Sequence, residues 1–267
     1  MTFYDASTDP ELAAEAAVLA ELVREADAIG VEVLVIGAVA RDILIRHVLG
    51  AMAERATRDV DGAVAVADWA AYDRLTSSLR RSGRVSHRFV VLGVDVDIIP
   101  FGGVESARRA IVWPDEMAMD VHGLAEAHRQ AVVVHLPGGL HVRVASLAAQ
   151  VALKILAWRD RRHEGDKDAI DVGTILRAYS TGAYLEELYE RDASLLERFE
   201  FDPLLAGAAR LGAEAAVLLD PESRRVLRTA LAGEGVLDAL AARMGGSPRV
   251  NAEMVDAYLT GLDAERQ

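Results

Sequence analysis

An α+β fold is predicted, with a strand-rich α/β half over residues 1–145 and a helical half over residues 146–267. Three observations predict it. Short β-branched runs punctuated by glycine or proline crowd the first 145 residues; beyond Ala145 every periodic segment repeats at helical spacing; and a sharp hairpin signal, Pro137-Gly138-Gly139, stands just before the junction.

Taken in order, Pro10 to about Ala28 reads as an amphipathic helix, with Leu12, Ala16, Leu19, Leu22 and Val23 on one face. VEVLVIG (31–37) is a buried strand ending at glycine, and AVARDILIRHVLG (38–50) a short helix closed by Gly50. VDGAVAV (60–66) is the second strand. Asp68 caps a helix running to Ser82, where Trp69, Tyr72, Leu75 and Leu79 recur at helical spacing before Gly83. RFVVLGVDVDIIPFGG (88–103) reads as two strands around Leu92-Gly93, and AVVVHLPGGLHVRV (131–144) as a hairpin on which His135 and His141 face one another. Helices follow at 145–162, 167–179, 203–219, 221–232, 236–243 and 251–262; Pro203 and Pro221 occupy first-turn positions after Asp202 and Asp220.

Composition narrows the chemistry. The chain has no cysteine, which excludes disulfides, thiolate catalysis and Cys-ligated zinc. No apolar run reaches the ~18–20 residues of a membrane span, and residues 1–20 lack a basic start and an apolar signal core. A cytoplasmic enzyme or binding domain with no membrane partner is the expectation. The net charge of −13 is shared by both halves, so neither half is a basic nucleic-acid module; a nucleic-acid partner needs a local basic patch.

The chemistry-bearing residues are carboxylates on strands. Asp59 and Asp61 flank Val60, and Asp95 and Asp97 flank Val96, so each pair projects to one strand face. Carboxylates among valines and isoleucines need a positive partner. A divalent cation can supply it, and hard oxygen ligands without cysteine or an HExxH motif favour Mg²⁺ or Mn²⁺ over zinc. Asp-x-Asp pairs at strand ends also bond turn amides or nearby arginines, here Arg55 and Arg58, and that reading stays open. Upstream, VIGAVARDILI (35–45) forms a strand, glycine turn and helix, a shape that points backbone amides at an anion.

IGAVARD (36–42), TRDVD (57–61) and VDIIP (96–100), in that order, resemble the DNA polymerase β-like nucleotidyltransferase superfamily over roughly residues 30–105. The resemblance implies a nucleotidyltransferase α/β domain with a mixed sheet. Asp59, Asp61 and Asp97 would be its metal ligands and catalytic carboxylates, and Gly37, Ala38 and Arg41 would meet the nucleotide. LKILAWRDR (153–161) and KDAID (167–171) are similar to the AbiEii-like branch, the abortive-infection and type IV toxin–antitoxin nucleotidyltransferases that include MenT-type tRNA-modifying toxins. That likeness implies a helical domain completing the nucleotide cleft, with Lys154 catalytic and nucleotide-binding, and Lys167, Asp168 and Asp171 at the nucleotide or ordering Lys154.

Lys154, Trp158 and Arg161 fall on one helical stripe. Lys154 and Lys167 are the only lysines among 29 basic residues, and a lysine's compact charge suits a triphosphate. Structural alternatives are a solvated Lys154 beside Gln150 and helix N-terminal charge placement for Asp168 and Asp171. The usual Gly-Ser of the first motif is Gly37-Ala38 here, so backbone amides and Arg41 would bind phosphate unaided. GAVARD with DVD also resembles the head of CCA-adding enzymes, without their nucleotide-selecting segment or a basic tail.

The resemblance therefore implies an enzyme using an NTP and Mg²⁺ or Mn²⁺ to place NMP on an RNA end, with tRNA as acceptor and an antitoxin protein as a possible partner. The alternatives are a small-molecule, aminoglycoside-type nucleotidyltransferase, which the acidic charge suits, and a non-catalytic nucleotide-binding relative.

Overall fold

The computed structural model describes residues 2–48 and 60–264, which form two compact units. The first holds residues 2–48 and 60–146 and is a mixed α/β layer; the second, residues 147–264, is entirely helical. The mixed α/β character with a large helical share is as the sequence predicts.

The first unit runs β1 (Phe3–Asp5), a 3₁₀ turn (Pro10–Leu12), α1 (Ala13–Asp27), β2 (Val33–Ile36), α2 (Gly37–Asp42), a π-helical turn (Ile43–Val48) and β3 (Val60–Val66). It continues through α3 (Trp69–Thr76), β4 (Arg80–Arg81), β5 (Arg88–Val91), β6 (Val94–Gly102), β7 (Ala110–Val112), β8 (Ala118–Asp120), α4 (Leu124–Arg129), β9 (Val132–Leu136) and β10 (Leu140–Val144). Eight strands form one sheet in the order β1-β9-β10-β2-β3-β6-β5-β4. It is mixed: β1 with β9, β10 with β2, and β3 with β6 are parallel, and the other neighbours are antiparallel. Strands β7 and β8 form a separate two-stranded antiparallel sheet.

The core of this unit lies where α1 meets the sheet. Leu19 and Leu22 of α1 and Leu34, Val35, Val64, Val96 and Ile98 of the central strands are fully buried. Gly62 makes the approach close: a Cβ there would stand 3.3 Å from Leu22. Such burial stabilises by about 1.5–3 kcal/mol per large apolar side chain. Trp69 and Tyr72 of α3 pack edge to face with Trp113, and the Tyr72 hydroxyl donates to the Ile98 carbonyl at 2.9 Å.

Several local readings are corrected. Helix α3 stops at Thr76, whose hydroxyl bonds back to the Tyr72 carbonyl, and Arg80–Arg81 pairs with β5 as a strand instead of extending the helix to Ser82. The N-terminal β1, the β7–β8 hairpin and α4 carry no strong periodic signal; the strands are three residues long and exist through their pairing. Gly50 lies outside the described residues. His135 and His141 do face across the hairpin, with rings stacked at 4.3 Å.

The helical unit comprises α5 (Leu147–Arg161), α6 (Lys167–Ala178), α7 (Gly182–Arg191), α8 (Ala193–Arg198), α9 (Pro203–Leu218), α10 (Pro221–Leu231), α11 (Val236–Ala241) and α12 (Pro248–Leu262). Asp202 and Asp220 cap α9 and α10 ahead of their prolines, as the sequence predicts. Helices α7 and α8 are additions to the reading; they pack as a small cluster through Leu188, Leu196 and Ala206 of α9, and Arg210 of α9 is ion-paired with Glu187 of α7. Helices α9 and α12 touch backbone to backbone. A Cβ at Gly261 would overlap the Ala209 carbonyl, and one at Gly212 the Tyr258 carbonyl. Among the described residues no helix is long and apolar enough to cross a membrane.

Candidate functional site

The site in the first unit starts at the end of β2. Ile36 is extended, and Gly37 turns the chain with φ of +71°, a conformation in which a side chain is strained. Space forbids a side chain as well, because the Asp61 carboxylate fills the volume a Cβ at position 37 would take. The glycine turn and the aspartate of β3 are thus fitted to each other, which follows from β2 and β3 pairing antiparallel with Ile36 opposite Asp61.

Strand β6 brings the second carboxylate. It lies parallel to β3 with Asp61 beside Asp97, so both project from the same sheet face on adjacent strands. Asp59 lies outside the described residues. Among the described residues, no group of three His, Cys, Asp or Glu side chains gathers to hold a metal ion. The donor chemistry of the described pair still suits a hard cation: two carboxylates abreast, with a closely fitted glycine turn beside one of them.

The positive partner of Asp97 in the structure is an arginine. Arg88 of β5 stands opposite Asp97 in the antiparallel β5–β6 pair and grips it with two hydrogen bonds, Nε to Oδ1 at 2.7 Å and Nη2 to Oδ2 at 2.7 Å. This two-pronged geometry is the strong form of an ion pair. Asp95, on the same strand face, accepts from the Ser82 hydroxyl at 2.7 Å. Sequence reasoning missed Arg88, although the signal was there. Leu92 and Gly93 both have positive φ and make a two-residue turn, so positions equidistant from it face one another and Arg88 falls opposite Asp97.

The remaining residues of the glycine motif have different surroundings. Gly37 and Ala38 are half-buried, while the Arg41 side chain is only 3% exposed and bonds Asp42 through Nε at 2.8 Å. Its guanidinium is directed into the interior beside that carboxylate.

In the helical unit, the lysine motif forms a charge cluster, buried at the aspartates and open at Arg161. Lys154 of α5 lies between two aspartates of α6, with Nζ 3.1 Å from Asp168 Oδ1 and 2.6 Å from Asp171 Oδ2. Arg161, two turns on, donates to Asp168 through Nε at 2.7 Å and Nη2 at 3.0 Å. The lysine is 13% exposed and the two aspartates 7% and 6%, so Lys154 is not a solvated helix residue. Burial works against the charged form of Asp168, but the Arg161 hydrogen bonds and the Lys154 charge outweigh it and hold the carboxyl below its ordinary range. The helical stripe reads out as expected up to a point: Lys154 and Arg161 converge on Asp168, whereas Trp158 between them is buried, with the Arg162 guanidinium 5.6 Å from its ring centre. Lys167 is exposed at the first turn of α6, away from the buried environment of Asp171.

No family model and no curated protein matches the chain. Solved structures similar to it include the solution structure of the antibiotic-resistance factor ANT(2'')-Ia, at 14% identity over 70% of this chain and 97% of that one, with a TM-score of 0.41. The crystal structure of ANT(2")-Ia in complex with adenylyl-2"-tobramycin matches at 15% identity over 70% and 99%, with a TM-score of 0.41. An antigenic nucleotidyltransferase-like protein from Paracoccidioides brasiliensis matches at 16% over 72% and 92%, with a TM-score of 0.42. A likeness this slight carries no argument about family or activity.

Proposed function

We propose that this chain is a metal-dependent nucleotidyltransferase that moves a nucleoside monophosphate from an NTP onto an RNA end, with tRNA as acceptor, in the manner of a toxin. The observation that carries the reading is the pairing of Asp61 with Asp97 in register on parallel strands, with Gly37 fitted against Asp61. Those two carboxylates, with Asp59, would hold Mg²⁺ or Mn²⁺. Bound there, divalent ions would neutralise charge on the reacting phosphate and on the attacking and leaving oxygens.

The chain's own residues supply position and proton handling. The acceptor hydroxyl oxygen bonds to the α-phosphorus, the bond to the β-phosphate oxygen breaks, and pyrophosphate leaves; Asp97 takes the hydroxyl proton. The Gly37–Ala38 turn offers backbone amides to phosphate without a serine hydroxyl. In the helical unit, Asp168 and Asp171 fix the Lys154 ammonium, and Lys167 is the exposed cation of the same motif.

A second reading has an observation of its own. The net charge of −13 favours a small cationic acceptor over RNA. Incubation with labelled NTPs and Mg²⁺, offering total tRNA or a panel of aminoglycosides, separates the two by which acceptor takes label. Binding of nucleotide without transfer to either marks a non-catalytic relative. Asp61→Ala is expected to abolish transfer while leaving the circular dichroism spectrum intact; full activity in that variant refutes the assigned site.

A further inference from the structure

Asp61, Asp97 and Arg88 form one row across three neighbouring strands, β3, β6 and β5, each in register with the next. A strand sheet places such a row on one face with side chains about 5 Å apart. The central member, Asp97, therefore has a carboxylate on one flank and a guanidinium on the other, and both of its oxygens are engaged by Arg88.

We infer that Arg88 is a latch on Asp97: its two-pronged grip and a divalent cation chelated by both carboxylate oxygens exclude one another, so Arg88 has to let go for such a cation to be held. The inference rests on the proposed reading of Asp61 and Asp97 as metal ligands. A fork-shaped guanidinium takes one in-plane lone pair on each oxygen, the same two that a hard cation chelated by both oxygens would use. A divalent charge brought beside the same carboxylate also repels the guanidinium at close range. The fork and a chelated cation are alternatives at Asp97. Exposure shows which one can move: the Arg88 side chain is 36% exposed and Asp97 15%, so the arginine lies on the solvent side of the pair and can swing off without opening the core. Release would cost at least the two charge-assisted bonds to Asp97, and the cation has to outcompete them.

This makes Arg88 a positioning residue, acting through Asp97 on how tightly the site takes a cation. Removing it should strengthen cation binding, the opposite of what loss of a structural contact does. The test is Mn²⁺ binding by the full chain, read as loss of the free-ion electron paramagnetic resonance signal, in wild type, Arg88→Gln, Arg88→Lys, Asp61→Asn and Asp97→Asn. Arg88→Gln is expected to lower the Mn²⁺ Kd by about tenfold or more, the range of one hydrogen bond to a charged group. Arg88→Lys keeps the charge but loses the fork, and is expected to fall between; it also carries the test should Arg88→Gln fail to fold. Asp97→Asn and Asp61→Asn should weaken binding at least tenfold. If the aspartate variants lose Mn²⁺ and neither Arg88 variant gains it, the latch is wrong and the carboxylate site stands. If the aspartate variants bind Mn²⁺ as wild type does, the site reading falls and the latch with it.

Discussion

Replacing Lys154 by methionine tests the charge cluster of the helical unit without reference to any activity. Methionine keeps most of the stem's volume and removes the ammonium from between Asp168 and Asp171, each under a tenth exposed. Breaking a buried ion pair from one side costs about 3–5 kcal/mol, because the carboxylate left behind stays desolvated. Arg161 continues to hold Asp168 through bonds of 2.7 and 3.0 Å, so the loss falls mainly on Asp171 and the lower end, about 3 kcal/mol, is expected. Against a typical stability of ~5–15 kcal/mol this is large, and it moves a urea midpoint down by roughly 1–3 M. Far-UV circular dichroism is the natural probe, since this unit is helical throughout. Adding Asp171→Asn to the methionine variant removes the charge that has lost its ammonium and should restore more than half of the loss. A single variant within about 1 kcal/mol of wild type, or a double variant no better than the single, refutes the view that Lys154 neutralises a buried pair.

Three further outcomes follow from the same coordinates. Asp168 has its pKa held below the ordinary 3.8, so its charged form contributes stability that is present above about pH 4 and lost as the pH falls through the lower folded-state value; the stability gap between wild type and Asp168→Asn should therefore shrink on acidification below pH ~4, and a gap unchanged down to pH ~2 would contradict it. Gly37→Ala places a Cβ in the volume of the Asp61 carboxylate and strains a residue at φ +71°, so transfer activity should fall at least tenfold at a stability loss of roughly 1–3 kcal/mol, measured by radiolabel transfer and thermal melting. Gly261→Ala drives a Cβ into the Ala209 carbonyl, where backbone on both sides leaves little room to relax, and should destabilise the helical unit by roughly 1–3 kcal/mol in thermal melting.

Much of this protein is local in origin and was readable from its residues. Glycine and proline punctuation, two-residue alternation and helical periodicity are enough to separate a strand-rich half from a helical one. Asp-Pro pairs at 202–203 and 220–221 mark helix starts because capping and proline geometry are settled within four residues. The Arg88–Asp97 pair belongs to the same class, since a tight turn at 92–93 dictates its own register. The three-residue strands β1, β7 and β8 were not readable, because elements that short are stable only through what they pack on.

Only the tertiary structure decided which carboxylates meet. Asp61 and Asp97 stand abreast because β3 and β6 pair in parallel, a register set by core packing across a connection of some thirty residues and not by any turn. Lys154 lies between Asp168 and Asp171 because α5 and α6 pack face to face, which fixes distances that helical spacing alone leaves open. Spacing along a chain tells which side chains share a face; the long-range burial of apolar surface determines which faces come together.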